Sequence, residues 1–282
     1  MECHALTHAQ FEDFSTIIAT TLGIKMPPAK RVMLQSRLQR RLRELGLETF
    51  EEYHTQFFQN PAHQAEELEH LLNLATTNKT DFLREADHFI VLVNETLAIW
   101  RRTRSAPVFR VWCAGCSSGE EPYTIAMTLL EQQAASPFEF AILATDVSTR
   151  VLHLAQEGIY EEEKVAPIPK ALQKKYLLRS RDPAARQVRI APEVRRHVRF
   201  GHLNFLSPDY GVKEMMDAIF FRNVMIYFDR PTQQQVVTKL CRNLRPDGFF
   251  FTAHAETLQG LGLPLRNAGT AVYRLNAHSV AK

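Results

Sequence analysis

RVWCAGCSSGEEPYTIAM, residues 110–127, decides how the rest of the chain is read. An apolar, strand-like run stops at a loop of small residues, and a helical stretch follows. Three chemistries compete for such a loop. Cys113 and Cys116 behind Trp112 fit a thioredoxin-like redox turn locally. The same two cysteines are half of a zinc site. Gly115, Ser117, Ser118 and Gly119 are small enough for the backbone to approach a ligand closely, although the match to Gly-x-Gly-x-x-Gly is poor. Two thiols packed at a tight turn are compatible with that third reading.

Downstream of the loop, strand-like and helical runs alternate. FAILATD (residues 140–146) precedes a helical stretch with Val151, Leu154 and Ala155 on one face, closed at Gly158. HVRFGHLNFL and DAIFFRNVMIYF read as further strands. A helix through Val237, Leu240, Cys241 and Leu244, a PDG turn and the strand GFFFTAH follow, and TAVYRL closes the pattern. Such alternation implies parallel βαβ units. Near-continuous apolar strands imply a sheet covered on both faces. One stretch breaks the rule. KYLLRS and RQVRIA flank a DPAA turn and read as a small antiparallel insert, residues 176–200.

Upstream, the pattern is helical. Phe11, Phe14, Ile18 and Leu22 share a face, as do Leu34, Leu38, Leu42 and Leu45, with Gly46 as a C-terminal cap. Phe50, Tyr53 and Phe57 form a third stripe, and Leu68, Leu71, Leu72 and Ala75 a fourth. The expected fold is therefore α/β: a doubly wound, mostly parallel Rossmann-like sheet with an antiparallel β insert, preceded by an all-α domain. The expected division is 1–76 and 77–282.

Composition narrows the class. The chain has 282 residues, 45% hydrophobic and 23% charged, which is ordinary for a globular protein. No run of about 18 apolar residues suggests a membrane span, and MECHALTHAQFEDF does not resemble a signal peptide. Four cysteines do not make a disulfide framework at this length, so a reducing cytoplasm is expected. The net charge of +3 gives no argument for nucleic acid. Six basic residues and no acidic one lie between Lys30 and Arg43, however.

The loop itself favours a cofactor. Glu120, Glu121 and Pro122 open the helix behind it. Proline suits a first turn, and acids there disfavour a pyrophosphate because they occupy the positive helix end themselves. The next strand ends in Asp146, placed to accept bonds from ribose hydroxyls. A nucleoside with a positive charge and no phosphate is S-adenosylmethionine. The redox reading leaves the long parallel sheet and the helical front unexplained. The zinc reading has only Cys3, Cys241 and scattered histidines to complete it, so no metal ligand set is assigned.

Several ordered stretches carry a resemblance to a known family. NKTDFLRE, AGCSSGEEPYTIAM, ATDVSTRVLHLAQEGIY, FRNVMIYFD and HAETL together resemble the CheR family of chemotaxis-receptor methyltransferases, over roughly residues 11–275. Lys79, Leu83 and Ala253 depart from the family's common Glu, Phe and Gly.

The resemblance implies roles. Asn78, Thr80 and Arg84 line the cofactor site, Glu120 faces the cationic methionine end, and Asp146 holds the ribose. Asn204 and Phe205 border the adenine, with core packing as the plainer alternative for Phe205. Arg222 and Asn223 sit beside the methionine moiety, and Tyr227 lies near the transferring methyl together with Arg84. His254 and Glu256 are assigned no chemistry. The implied reaction is methyl transfer to receptor glutamates, giving methyl esters and S-adenosylhomocysteine. A glutamate carboxylate is already ionised at neutral pH, so no general base is required. Arg84 suits the orienting of a carboxylate, because a guanidinium donates two parallel bonds. Tyr227 places the carboxylate with its hydroxyl or covers the sulfonium with its ring.

The resemblance also implies partners. Arg37, Arg40 and Arg41 crowd one helix, and a basic face there would dock on the acidic, cytoplasmic helical region of membrane-bound chemoreceptors. The protein would then be cytoplasmic and recruited to those receptors, without membrane insertion and without nucleic acid. A solvated basic face is the plainer reading. In part of the family the β insert grips a short tether at the receptor C-terminus. The turn SRDPAARQ lacks the glycines expected of such a grip, and the point stays open. Rival functions are a nucleic-acid methyltransferase and a non-catalytic cofactor-binding regulator. The first lacks the aromatic, proline-bracketed amino-transfer motif, and Arg84 and Tyr227 speak against the second.

Overall fold

The computed structural model describes residues 5–103 and 106–276; Cys3 lies outside them. The described residues form two compact units. One is helical and reaches to Thr77, with Tyr227–Asp229 added from far along the chain. The other comprises the remainder from Asn78.

The helical unit contains α1 (His8–Leu22), α2 (Arg31–Leu45), α3 (Phe50–Gln59) and α4 (Pro61–Ala75). Local chemistry sets their ends. Thr7 with Gln10, and Thr49 with Glu52, form capping boxes at α1 and α3. Asn60 caps α4 with Pro61 in the first turn, so the Asn-Pro pair both ends one helix and starts the next. Gly46 closes α2 at φ 70°. Phe11, Phe14, Ile18, Leu34, Leu38, Leu42, Tyr53, Phe57 and Leu71 are all buried, as their spacing predicts. Phe14 contacts the rings of Tyr53 and Phe57 at 5.7 and 5.6 Å.

A buried polar network runs through this apolar core. Arg41 pairs with the carboxylate of Glu67, which is 3% exposed and also accepts a bond from the Tyr53 hydroxyl at 3.3 Å. Burial pushes the Glu67 carboxyl up, but the Arg41 bonds outweigh it and hold the group below its ordinary value. Arg37 donates to the carbonyls of Leu74 and Thr76, satisfying the end of α4. Two of the three arginines expected on a docking face are therefore engaged inside their own unit, while Arg40 is exposed. Helical spacing shows which residues share a face; it does not show which long side chain finds a partner 26 or 37 residues away.

The second unit opens with α5 (Asp87–Val91), a π-helical turn (Leu92–Leu97) and α6 (Ala98–Thr103). Then come β1 (Val108–Ala114), α7 (Glu120–Ala135), β2 (Glu139–Asp146), α8 (Thr149–Glu157), β3 (Ile159–Glu161), α9 (Lys170–Tyr176), β4 (Leu177–Arg179) and β5 (Gln187–Ile190). The chain continues through α10 (Pro192–Arg195), β6 (Val198–His202), β7 (Met216–Phe220), α11 (Arg230–Arg242), β8 (Leu244–Phe251), β9 (Leu265–Gly269) and β10 (Val272–Leu275). The main sheet has the order β6-β2-β1-β7-β8-β10-β9. Its first five strands pair in parallel, and β10 and β9 add antiparallel at one edge. Strand order departs to opposite sides from β1, which makes the gap between β1 and β7 a topological switch point.

Three details differ from the sequence reading. The small sheet has three strands in the order β3-β5-β4, and it begins at Ile159 rather than near residue 176. Three residues are too few to show a period-2 pattern. The apolar run DAIFFRNVMIYF is strand only through Phe220, because backbone hydrogen bonding to β8 stops at Phe221 and the chain turns. Leu244 opens β8 rather than ending α11, and the PDG stretch lies within that strand beside a register shift.

Candidate active site

The loop behind β1 is held from below by β2. The amides of Gly115 and Cys116 both donate to the Thr145 carbonyl, at 2.7 and 2.9 Å. The turn needs glycine at two places. Gly115 has φ +89°, and a Cβ there would lie 2.5 Å from a methyl carbon of Val224. Gly119 has φ +99°, and its Cβ would meet the Tyr160 hydroxyl at 2.8 Å. Any side chain at either position is both strained and obstructed. The Tyr160 hydroxyl in turn donates to the Ser118 carbonyl, and the Ser117 hydroxyl to the Asn78 carbonyl.

Buried carboxylates line this end of the sheet. Asp146 is 8% exposed; its Oδ2 accepts the Ser117 amide and its Oδ1 the Ser148 amide, each at 2.9 Å. Ser148, not Asp146, caps α8 with its side chain. A carboxylate offers about four acceptor positions, so these two bonds fix the group and leave capacity for a ligand. Glu120 is 1% exposed at the start of α7, accepts the Ser118 hydroxyl at 2.7 Å and lies 3.7 Å from Lys164 Nζ. Burial raises both carboxyls above their ordinary values. A cationic ligand would oppose that shift, whereas a phosphate would worsen the crowding of negative charge.

Arg222 ties the parts together. It is 5% exposed and follows β7. Its Nη2 donates to the Arg84 carbonyl and to Glu85 Oε2, the latter at 3.1 Å, and its Nη1 pairs with Glu121 Oε2 at 2.9 Å. Its guanidinium carbon stands 5.8 Å from the Phe89 ring centroid. Leu83, Glu85, Ser117 and Asn223 all have positive φ, between 49° and 60°. Strain in non-glycine residues persists only where the surroundings over-determine it. Here Arg222 holds the 83–85 turn, Asp146 holds Ser117, and Glu256 Oε2 accepts the Asn223 amide at 3.0 Å.

The remaining nominated residues are placed as follows. Lys164 Nζ donates to the Thr80 carbonyl at 2.6 Å and to Asp81, fastening the segment that carries Asn78 and Thr80. The Arg84 guanidinium donates to the Lys79 carbonyl at 3.3 Å. Asn204 accepts the Leu206 amide in a local turn. Phe205 is buried and packs edge-on against Phe221 at 5.1 Å, so core packing accounts for most of its ring. Tyr227 belongs to the helical unit, where its hydroxyl donates to the Thr77 carbonyl at 3.1 Å and Lys30 sits over its ring.

Sequence reasoning missed four supporting residues. Glu256 accepts the Ala253 amide as well as that of Asn223, joining the ends of β8 and β7. Lys239, 9% exposed on α11, donates to the carbonyls of Phe205 and Ser207 and so anchors the loop after β6. Glu85 and Glu121 supply the two anions on Arg222. Glu121 carried a hint as a second acid at a helix start, and Glu85 and Glu256 lay within the family-like stretches NKTDFLRE and HAETL without an assigned role.

Cys113 and Cys116 are fully buried thiols. Burial pushes both well above the ordinary range, helped at Cys113 by Glu121, to which its thiol donates at 2.9 Å, and at Cys116 by Asp146. Neither supplies the thiolate that redox or nucleophilic chemistry requires.

A doubly wound sheet with a glycine turn after β1, and an amide-held acid ending β2, defines a nucleoside-binding fold. Comparison with known proteins makes the class specific. The family description "CheR methyltransferase, SAM binding domain" matches residues 78–273, and "CheR methyltransferase, all-alpha domain" matches residues 9–76. The chain belongs to the CheR methyltransferase family. It is similar to chemotaxis protein methyltransferase 2 of Pseudomonas aeruginosa, with 38% identity over 269 residues and 94% of each chain covered. It is 39% identical over 272 residues to the chemotaxis protein methyltransferase of Escherichia coli, covering 96% of this chain and 92% of that one. The corresponding protein of Borreliella burgdorferi is 35% identical over 262 residues, with 90% of each covered. The protein is thus a methyltransferase, and its cofactor is S-adenosylmethionine.

The loop's sulfur atoms are then expected to be incidental to cofactor binding. Cys113→Ser with Cys116→Ala is expected to keep S-adenosylmethionine affinity within about threefold, a change of ~0.6 kcal/mol. Titration calorimetry on the folded double variant checks this; complete loss of binding would return the sulfur atoms to the site.

Proposed function

We propose that the protein transfers the methyl group of S-adenosylmethionine to glutamate side chains of chemoreceptors, forming methyl esters. The observation that carries this reading is the buried acidic end of the sheet, with Glu120 and Asp146 where a phosphate-bearing cofactor would need donors. The chemotaxis names of the similar proteins supply the substrate class.

In this reading Asp146 receives the ribose hydroxyls, and Glu120 attracts the cationic methionine end. Asn78 and Thr80 border the cofactor on the segment that Lys164 fastens. Asn204 and Phe205 border the adenine through the loop that Lys239 anchors. Arg222 and Asn223 act beside the methionine moiety, with Arg222 fixing the 83–85 turn. The sulfonium makes the methyl carbon electrophilic. The receptor carboxylate attacks it, the carbon–sulfur bond breaks, and S-adenosylhomocysteine leaves with the electron pair. Since the nucleophile arrives ionised, alignment is what the protein supplies.

Arg84 is assigned the orienting of that carboxylate, and Tyr227 a contact with the carboxylate or the methyl group. Arg84→Ala keeps the backbone carbonyl that Arg222 grips. It is expected to lower kcat/KM for receptor about 10- to 100-fold, the effect of misplacing a reactant. Cofactor affinity should change far less. Initial rates beside calorimetry make the comparison, and unchanged turnover removes Arg84 from the mechanism.

The helical unit is assigned to docking on the cytoplasmic helical region of a membrane-bound receptor, in the cytoplasm. Among the nominated arginines, exposed Arg40 is the one available for it; Arg31 and Arg43 are exposed on the same helix. Among the described residues no helix is long and apolar enough to cross a membrane. A possible receptor tether is assigned to the small sheet as an added strand. Both β3 and β4 are edges of the small sheet, and Ile159 and Leu178 on them are exposed.

A further inference from the structure

Beside the Arg222 clamp lies a group of side chains to which methyl transfer assigns no catalytic role. Glu85, His88 and His254 each offer a ligand atom, and these atoms lie within 4.8 Å of one another. His88 is fully buried. Its Nε2 faces the Thr270 carbonyl at 3.3 Å. A carbonyl only accepts, so that nitrogen carries the proton, and in the neutral ring Nδ1 then holds the lone pair. Among the described residues Nδ1 has no hydrogen-bond partner, although it is shielded from solvent. It points toward Glu85, 3.6 Å from Oε2. A buried acceptor without a partner is costly and calls for an explanation.

We propose that Glu85, His88 and His254 form a binding site for a divalent transition-metal ion of the zinc class. Two imidazoles and a carboxylate are the donor set such ions prefer, whereas magnesium and calcium take oxygen donors. The outer partners are already in place. Metal-ligating histidines characteristically donate their other N–H to a carbonyl or carboxylate. His88 does so to Thr270, and His254 Nε2 lies 3.0 Å from Asp87 Oδ2. The His88 and His254 rings stand nearly perpendicular at 5.0 Å between centroids. On a tetrahedral ion with ordinary bond lengths the donor atoms would be about 3.3 Å apart. The group must therefore contract slightly, and His254, with its side chain 41% exposed, has the freedom to move.

The neighbouring charges are compatible with a cation. Arg222 and His88 Nδ1 both face Glu85 Oε2, at 3.1 and 3.6 Å, and a carboxylate oxygen has two lone pairs, so it can hold the guanidinium on one and a metal on the other. Glu85, Asp87 and Glu121 together bring three negative charges against Arg222 and the ion. No spacing in the sequence announces this site. Glu85 and His88 are three apart, but His254 comes from beyond β8.

The test uses the untagged full chain, stripped with a chelator, and Co2+ and Zn2+ as probes. One equivalent of Co2+ should develop the intense visible absorption of a low-coordinate nitrogen and oxygen site. Zn2+ should displace it with a Kd below about 10 µM. His254→Ala alters a half-exposed ligand and should weaken binding at least tenfold in a protein with unchanged circular dichroism. His153→Ala, on the exposed face of α8, should leave it unchanged. Absence of saturable binding below 10 µM, or binding that His254→Ala leaves intact, overturns the site.

Discussion

Arg222→Met should lower the unfolding free energy by about 3–5 kcal/mol, the cost of removing one partner from a buried ion pair. The Arg222 side chain is 2% exposed, and the carboxylates on either side, Glu85 and Glu121, are 15% and 16% exposed. Methionine fills much of the space but leaves two poorly hydrated anions facing each other. It also releases the Arg84 carbonyl, so the strained 83–85 turn loses its anchor. Arg222→Lys restores a charge without the planar guanidinium that bonds the Arg84 carbonyl and Glu85 while pairing with Glu121, and should recover only part of the loss. Urea denaturation of the three proteins measures this. A change below about 1 kcal/mol for the methionine variant would place the carboxylates in water and contradict the clamp.

Asp146→Ala is expected to weaken S-adenosylmethionine binding by about 1–3 kcal/mol, roughly 5- to 150-fold. Two effects add. The ribose loses a charged acceptor, and the Ser117 amide loses the bond that holds it at φ 49°. Asp146→Asn separates them. An amide oxygen can keep one of the two backbone bonds but offers an N–H2 where the other acceptor stood, so an intermediate affinity is expected. Calorimetry at fixed salt checks both. Wild-type affinity in a folded alanine variant would make Asp146 a turn residue only.

The architecture was legible where the chain repeats a simple rule. Alternating strands and helices announced the parallel sheet, and the stripes through Phe14 and Leu38 announced the helical unit. The glycine turn and Asp146 were legible because they follow strands whose ends could be located. Legibility failed where the deciding contact is distant or the element is short. β9, reading LRNAG, has no alternation and few β-formers, and it exists because β10 offers it a partner. Arg37 and Arg41 looked like surface charge, yet their partners lie on α4 and beyond it. Glu85 and Arg222 are 137 residues apart, and nothing in either neighbourhood names the other. Glu256 resembled a solvated charge and instead accepts backbone amides from two strand ends. Long-range pairing of polar groups depends on the finished fold, and local pattern carries little of it.

Base-labile methyl transfer is the most direct test of receptor esterification. The protein is incubated with methyl-labelled S-adenosylmethionine and membranes bearing chemoreceptors, and the receptor is then treated with mild base. Methyl esters on glutamate should release their label as methanol, and peptide mapping should place it on glutamates of the cytoplasmic helical region. Label that survives base, or that is found on nucleic acid while the receptors stay unmodified, would contradict the proposed function even with the cofactor site intact.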